Sequence, residues 1–176
     1  MKKVILLAIA MVATVTFTNA QTFKKSDKIV EGTVSYSQQS GENATYSVNP
    51  SVGYFLNDKT AVGVYGGFGK DGDSKTSTFG VYARHFFLNI GKNLKTYTQM
   101  NASNTSAELA GTKTTTFGIG AGLGVNYFLT SKIVLTMDVA NLLNYTSQSS
   151  NTSFSIGWNG VNNPLSASKF GVLYRF

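Results

Sequence analysis

The last eight residues, KFGVLYRF (Lys169 to Phe176), narrow the possible folds more than any other stretch. Phe170, Val172, Tyr174 and Phe176 share one parity and are all apolar. Lys169, Gly171, Leu173 and Arg175 share the other parity and include two charges. Successive side chains of a strand point to opposite faces, so this segment reads as a strand with one apolar face and one partly polar face. A soluble domain has no physical reason to end on such a strand. A closed barrel in lipid has one: its last strand must pair with its first, because hydrocarbon cannot satisfy an open edge.

The other end of the chain fits an exported protein. Lys2 and Lys3 precede an uncharged apolar run from Val4 to Phe17, followed by Thr18-Asn19-Ala20. A basic start, an apolar middle and small residues at the −3 and −1 positions predict a signal peptide over 1–20, cleaved after Ala20. The expected mature chain, 21–176, is a single barrel domain of 156 residues with 13 basic and eight acidic side chains, a formal charge of +5. It has no cysteine, so no disulfide can staple it. No later stretch approaches the 18 or so apolar residues of a spanning helix, so any crossing must be made by strands. Beyond the leader only Lys24-Lys25 are adjacent basic residues. With no basic patch, nucleic-acid binding is excluded.

Alternation begins at Val30 and hardly stops. It predicts eight strands: Val30 to Tyr36, Ala44 to Leu56, Thr60 to Gly69, Thr76 to Leu88, Leu94 to Asn101, Phe117 to Leu129, Ile133 to Tyr145, and the closing strand. Residues 21–28 read as a polar lead-in. Pro50 would normally demote a central strand and is expected at a bulge. The connections alternate long and short, with a long Ser/Thr/Asn loop expected up to Thr112 and an extra segment, SFSIGW, inside the last loop. Short turns at one end and long loops at the other describe an antiparallel up-and-down transmembrane β-barrel, all-β, with short periplasmic turns and long extracellular loops. Both termini are then periplasmic. GYFLNDK, HFFLNIGK and NYFLTSK precede the short turns and supply an aromatic belt of Tyr54, Phe87 and Tyr127, joined by Tyr174.

Charge supports the same topology. Of the acids only Glu31 and Asp138 fall within strands, both on the inward parity, as do Lys169 and Arg175. Aligning strand four by its aromatic motif would put Arg84 in lipid, at a cost of about 2–4 kcal/mol at the midplane. Arg84 is therefore placed inside, with His85 and Phe87 outside. Counting depth from the short turns predicts a Glu31–Arg175 pair and a second group of Asp138 with Lys169 and Arg84, since buried charges require partners. The glycines of strand six leave room for these side chains. An eight-stranded barrel is just wide enough to be filled, so a plugged lumen is expected.

The pattern PSVGYF, VGVYGGF, YARHFF, GAGLGVNYFLT and FGVLYRF resembles the small outer-membrane β-barrel domain family, often labelled porin-like, over the whole mature chain. The departures are His85, where the family commonly has Tyr, and the SFSIGW insertion. The resemblance implies an integral protein of the bacterial outer membrane. Its partners would be membrane lipid and the barrel-assembly machinery, which reads the closing signal Phe170, Val172, Tyr174 and Phe176.

Catalytic and cofactor chemistry finds little footing. His85 is the single histidine and has no Ser two residues on, as a lipid-modifying barrel enzyme would require. A histidine-based metal site has no second His and no Cys to join it. GIGAGLG keeps period two within a strand and continues into VNYF, unlike a phosphate loop. Asp71-Gly72-Asp73 offers two carboxylates where calcium takes six to eight oxygens. Sequons at Asn43, Asn101, Asn104, Asn144 and Asn151 mark polar segments. No catalytic residue, metal or cofactor is expected. The expected role is structural, adhesive or envelope-protective, carried by the long loops. The alternatives are a narrow porin for small solutes, a lipid-modifying barrel enzyme, and a soluble lipocalin-like binder with its faces inverted.

Overall fold

A computed structural model describes residues 22–37, 45–71, 73–148, 151–156 and 169–176. The expected leader, 1–20, lies outside these residues, as does Trp158. Among the described residues nine strands form: β1 (Lys28–Ser37), β2 (Thr45–Asn57), β3 (Thr60–Asp71), β4 (Ser74–Ile90), β5 (Leu94–Leu109), β6 (Thr112–Phe128), β7 (Ile133–Gln148), β8 (Asn151–Ile156) and β9 (Lys169–Arg175). Each neighbouring pair is antiparallel, and β9 closes the ring between β7 and β1. The ring is an eight-stranded up-and-down barrel, as the alternation predicts. SFSIGW begins in β8, which extends β7 as a hairpin with Tyr145 opposite Phe154.

The faces sort by chemistry. Val30, Val52, Val64, Val81, Met100, Ile119 and Val172 all point outward and are exposed. Glu31, Tyr82, Arg84, Tyr97, Asn126 and Leu173 point inward and are buried. In water such an exterior would be a very large apolar patch. As a band facing lipid it is what a spanning barrel needs. A second outward aromatic row was not read from the sequence. Phe68, Phe79, Phe117 and Phe154 line the end away from the termini. With Tyr54, Phe87 and Tyr174 at the terminal end, they frame the band on both sides. Tyr127, the fourth expected belt member, is half-buried.

Several local expectations are corrected. The long loop before Thr112 is a hairpin: β5 and β6 pair without a shift from Leu94↔Tyr127 to Leu109↔Thr112. The sequence hides it because neither face of that part meets hydrocarbon, so no apolar alternation marks it. Its Thr-rich strands still favour extended backbone. Ala110 (φ 49°) and Gly111 (φ 82°) turn it with two left-handed residues, the geometry of a two-residue hairpin loop. The Lys70–Lys75 loop likewise shrinks, since β3 and β4 pair out to Asp71↔Ser74. Pro50 does not sit at a bulge. The β2–β3 ladder omits Asn49 and Pro50 opposite Gly66 and Gly67 and resumes in the same register. A missing N–H removes a ladder bond without adding a residue.

Bulges occur elsewhere, one of them near the short-turn end of β4. The β4–β5 register shifts between Phe86 and Leu88, leaving Phe87 as the extra residue. Arg84 and Phe86 share a parity and both face inward, while His85 and Phe87 face out, and the shift alters the facing only of the residues beyond Phe87. In β7 the register to β6 shifts twice, at Val139 and at Leu142. The second shift restores the parity changed by the first, so Leu143 is outward as expected.

Candidate lumen site

The lumen is built in layers, and the first was missed from sequence. Residues 22–27 are not a loose polar lead-in. Ser26 N–H donates to the Phe55 carbonyl (2.9 Å), Phe55 N–H to the Asp27 carbonyl (2.9 Å), and Lys25 N–H to Asp58 Oδ1 (2.7 Å). These bonds fold the segment under the barrel and lift Phe23 into it. The Phe23 ring lies 4.3 Å from that of Phe55, 4.9 Å from Phe86 and 4.9 Å from Phe128. Ile29, Ala61, Val134 and Leu173 complete a dry plug, every member buried. The only sequence signal was the repeated aromatic pair before each short turn. It indicated a belt, yet one ring of each pair turns inward.

Tyr97 joins the plug to a charged layer. Its ring meets Phe86 edge-on at 5.6 Å, and its hydroxyl donates to Asp138 Oδ1 at 2.7 Å. Room for it comes from β6: a Cβ at Gly124 would stand 2.2 Å from Tyr97 Cζ. Tyr82 similarly occupies the space over Gly63, where a Cβ would meet its ring at 2.6 Å. Between the two tyrosines sits Arg84, its guanidinium carbon 4.2 Å from the Tyr97 ring centre and 5.5 Å from that of Tyr82.

Arg84 is the hub of this layer. Nη1 donates to Glu31 Oε2 at 2.8 Å, Nη2 to Glu31 Oε1 at 3.2 Å, and Nε to Gln99 Oε1 at 2.9 Å. The forked geometry matches guanidinium to carboxylate on both arms. Both residues are buried, at 3% and 5% exposure. Desolvating two charges is affordable only when geometry and further hydrogen bonds compensate, and here they do.

The expected pairings are thereby redrawn. Arg84 pairs with Glu31, not Asp138. Arg175 pairs with Asp27 instead, Nη1 to Oδ2 at 3.4 Å, and donates to the Thr22 carbonyl. Register is the reason: Glu31 stands opposite Leu173 and Ile29 opposite Arg175, so Arg175 lies one inward step nearer the termini. Lys169 stands directly opposite Asp138 across β7 and β9. Of the closing signal, Phe170, Val172, Tyr174 and Phe176 all face outward.

Beyond this layer lies a polar cavity of about 140 Å³, lined by Thr33, Asn49, Ser51, Tyr65, Asn101 and Asn141 among others. Its amides and hydroxyls suit water. His85, outside the wall, is exposed and has Nδ1 3.0 Å from Thr60 Oγ1.

No family model and no curated protein matches the chain. Solved structures do. The N-terminal β-barrel domain of Pseudomonas aeruginosa OprF is 18% identical with a TM-score of 0.54, covering 87% of this chain and 98% of that one. Neisserial surface protein A is 20% identical with a TM-score of 0.55, covering 85% and 96% respectively. At these identities the likeness establishes the fold, that of the small eight-stranded outer-membrane barrels.

Proposed function

We propose that this chain is a non-conducting, non-enzymatic integral protein of the bacterial outer membrane, with an adhesive or envelope-protective role borne by its distal hairpins. The observation that carries the reading is the double closure of the lumen: the Phe23 plug at the terminal end and the Arg84–Glu31 layer above it. An open pore needs a hydrated path along its axis, and a close-packed cluster of aromatic rings offers none. The apolar exterior between two aromatic rows supports residence in a bilayer. The short-turn end, with both termini, would face the periplasm, following the usual arrangement of such barrels. The outward face of β9 would engage the assembly machinery during insertion. The β5–β6 hairpin continues five residue pairs past the Asn104↔Phe117 level, and Thr, Ser, Glu and Lys side chains dominate there. That projecting, hydrogen-bonding surface is where a partner would be met.

Two measurements test this. Unboiled protein from outer-membrane fractions should migrate as a folded band that shifts on heating. The same folded protein should give no single-channel current in planar bilayers. Steady conductance from the heat-shifted form would move the assignment to a narrow porin. Recovery from the soluble periplasm without a shift would remove the membrane reading altogether.

A further inference from the structure

Lysines scattered along the sequence are gathered by the topology onto one rim. Lys24 and Lys25 lie in the folded N-terminal segment, and Lys28 opens β1. Lys59, Lys92 and Lys132 sit in the three short turns. All six side chains are exposed. Among the described residues Asp27 and Asp58 are the acidic side chains at this end, and both are engaged. Asp27 accepts from Lys24 N–H at 2.8 Å and pairs with Arg175, while Asp58 accepts from Lys25 N–H.

The opposite end contrasts with it. There Lys75 stands across from Glu108, and Glu108 across from Lys113, so the signs alternate. Among the described residues only the terminal end shows a strongly net-positive rim, six exposed lysines against Asp27, which is paired with Arg175, and Asp58.

We propose that this rim binds the anionic phospholipid headgroups of the leaflet that borders the short turns. The inference rests on the membrane reading given above. Its geometry follows from the aromatic row at the same end. Lys59 follows Tyr54 and Leu56, Lys92 follows Phe87 and Ile90, and Lys132 precedes Ile133, which pairs with Tyr174. Belt aromatics sit at headgroup level. Lysines one short step further out are therefore placed at the phosphates, with stems long enough to adjust. Lys28 and Lys132 flank the terminal strand: the Lys132 carbonyl accepts Arg175 N–H at 2.8 Å, and the Lys28 carbonyl accepts Phe176 N–H at 2.9 Å. Phosphodiester charge complements a ring of ammonium groups, whereas zwitterionic headgroups bring no net charge.

The test uses the full mature chain with Trp158→Phe, which removes its only tryptophan, and Tyr174→Trp, which installs a reporter on the rim. Quenching by dibrominated phosphatidylglycerol is compared with quenching by dibrominated phosphatidylcholine in vesicles. At low salt the anionic lipid should be preferred by roughly two- to five-fold, up to the scale of a single lysine acting at a charged surface. Salt near 0.5 M should erase the preference. Lys59→Glu, Lys92→Glu and Lys132→Glu together should abolish it, while Lys75→Glu with Lys113→Glu leaves it intact. Equal quenching by both lipids at low salt, in protein that still shows the heat shift, overturns the proposal. So does lysine-dependent co-sedimentation with cell-wall glycan in the absence of a lipid preference. Absence of quenching by either lipid together with no heat shift would instead strike at the membrane reading.

Discussion

At the scale of single residues, the lumen depends on Arg84. It carries a forked ion pair to Glu31, a hydrogen bond to Gln99 and a face contact with Tyr97. Removing one partner of a buried pair leaves an uncompensated charge, which costs about 3–5 kcal/mol. Glu31→Leu and Arg84→Leu should each lower the urea midpoint of the refolded barrel by that much stability. The double variant Glu31→Leu with Arg84→Leu should recover most of the loss, because no charge remains to be solvated. A double variant as unstable as the sum of the singles would show that the two residues act independently. That Arg84 faces inward was legible from the sequence, because Arg in lipid is costly. Its partner was not. Pairing depends on register, and the shift at Phe87 displaces every depth counted along β4 by one residue.

At the scale of elements, hydrophobic alternation identified each strand only where one face meets hydrocarbon. It found β6 from Phe117 onward and missed its first five residues, Thr112 to Thr116. It likewise ended β5 near Asn101, where the outward residues turn polar. The missing signal was turn chemistry: Ala110 stands where a two-residue loop of this kind calls for Asn, Asp or Gly. An L-residue with a Cβ pays about 1–2 kcal/mol in the left-handed region, and Asn pays less. Ala110→Asn should therefore strengthen the hairpin by up to about 1 kcal/mol, and Gly111→Val should weaken it by a similar amount or more. Hydrogen exchange of the amides from Ser106 to Thr115 would report both changes. The exchange of β1 and β9 should not move, since the hairpin tip opens locally. If protection at the tip is the same in both variants, the hairpin is held by something other than its turn.

At the scale of the whole molecule, two seals stand in series. The plug is closed from outside the ring of strands, by an N-terminal segment that the Ser26, Asp27 and Lys25 backbone bonds fold beneath the barrel. The charged layer is closed from the wall itself, by β1 and β4. Reading residues 21–28 as polar overlooked Phe23 because a single apolar residue among lysines has no periodicity to reveal it. Only the cluster of Phe55, Phe86 and Phe128 across the ring makes a place for it. Two seals in series give a sharp expectation for conductance. Opening the plug alone, with Phe23→Ala and Phe128→Ala, should cost several kcal/mol of stability, about 3–5 for each ring, yet pass no current, because Arg84 still spans to Glu31. Opening the charged layer alone, with Glu31→Ser and Arg84→Ser, should also stay silent behind the rings. The combined variant should conduct, provided its heat shift shows that the barrel has closed. Current through either single-layer variant would mean the other layer is no seal. Silence from the folded combined variant would place the true block higher, among the amides around the polar cavity.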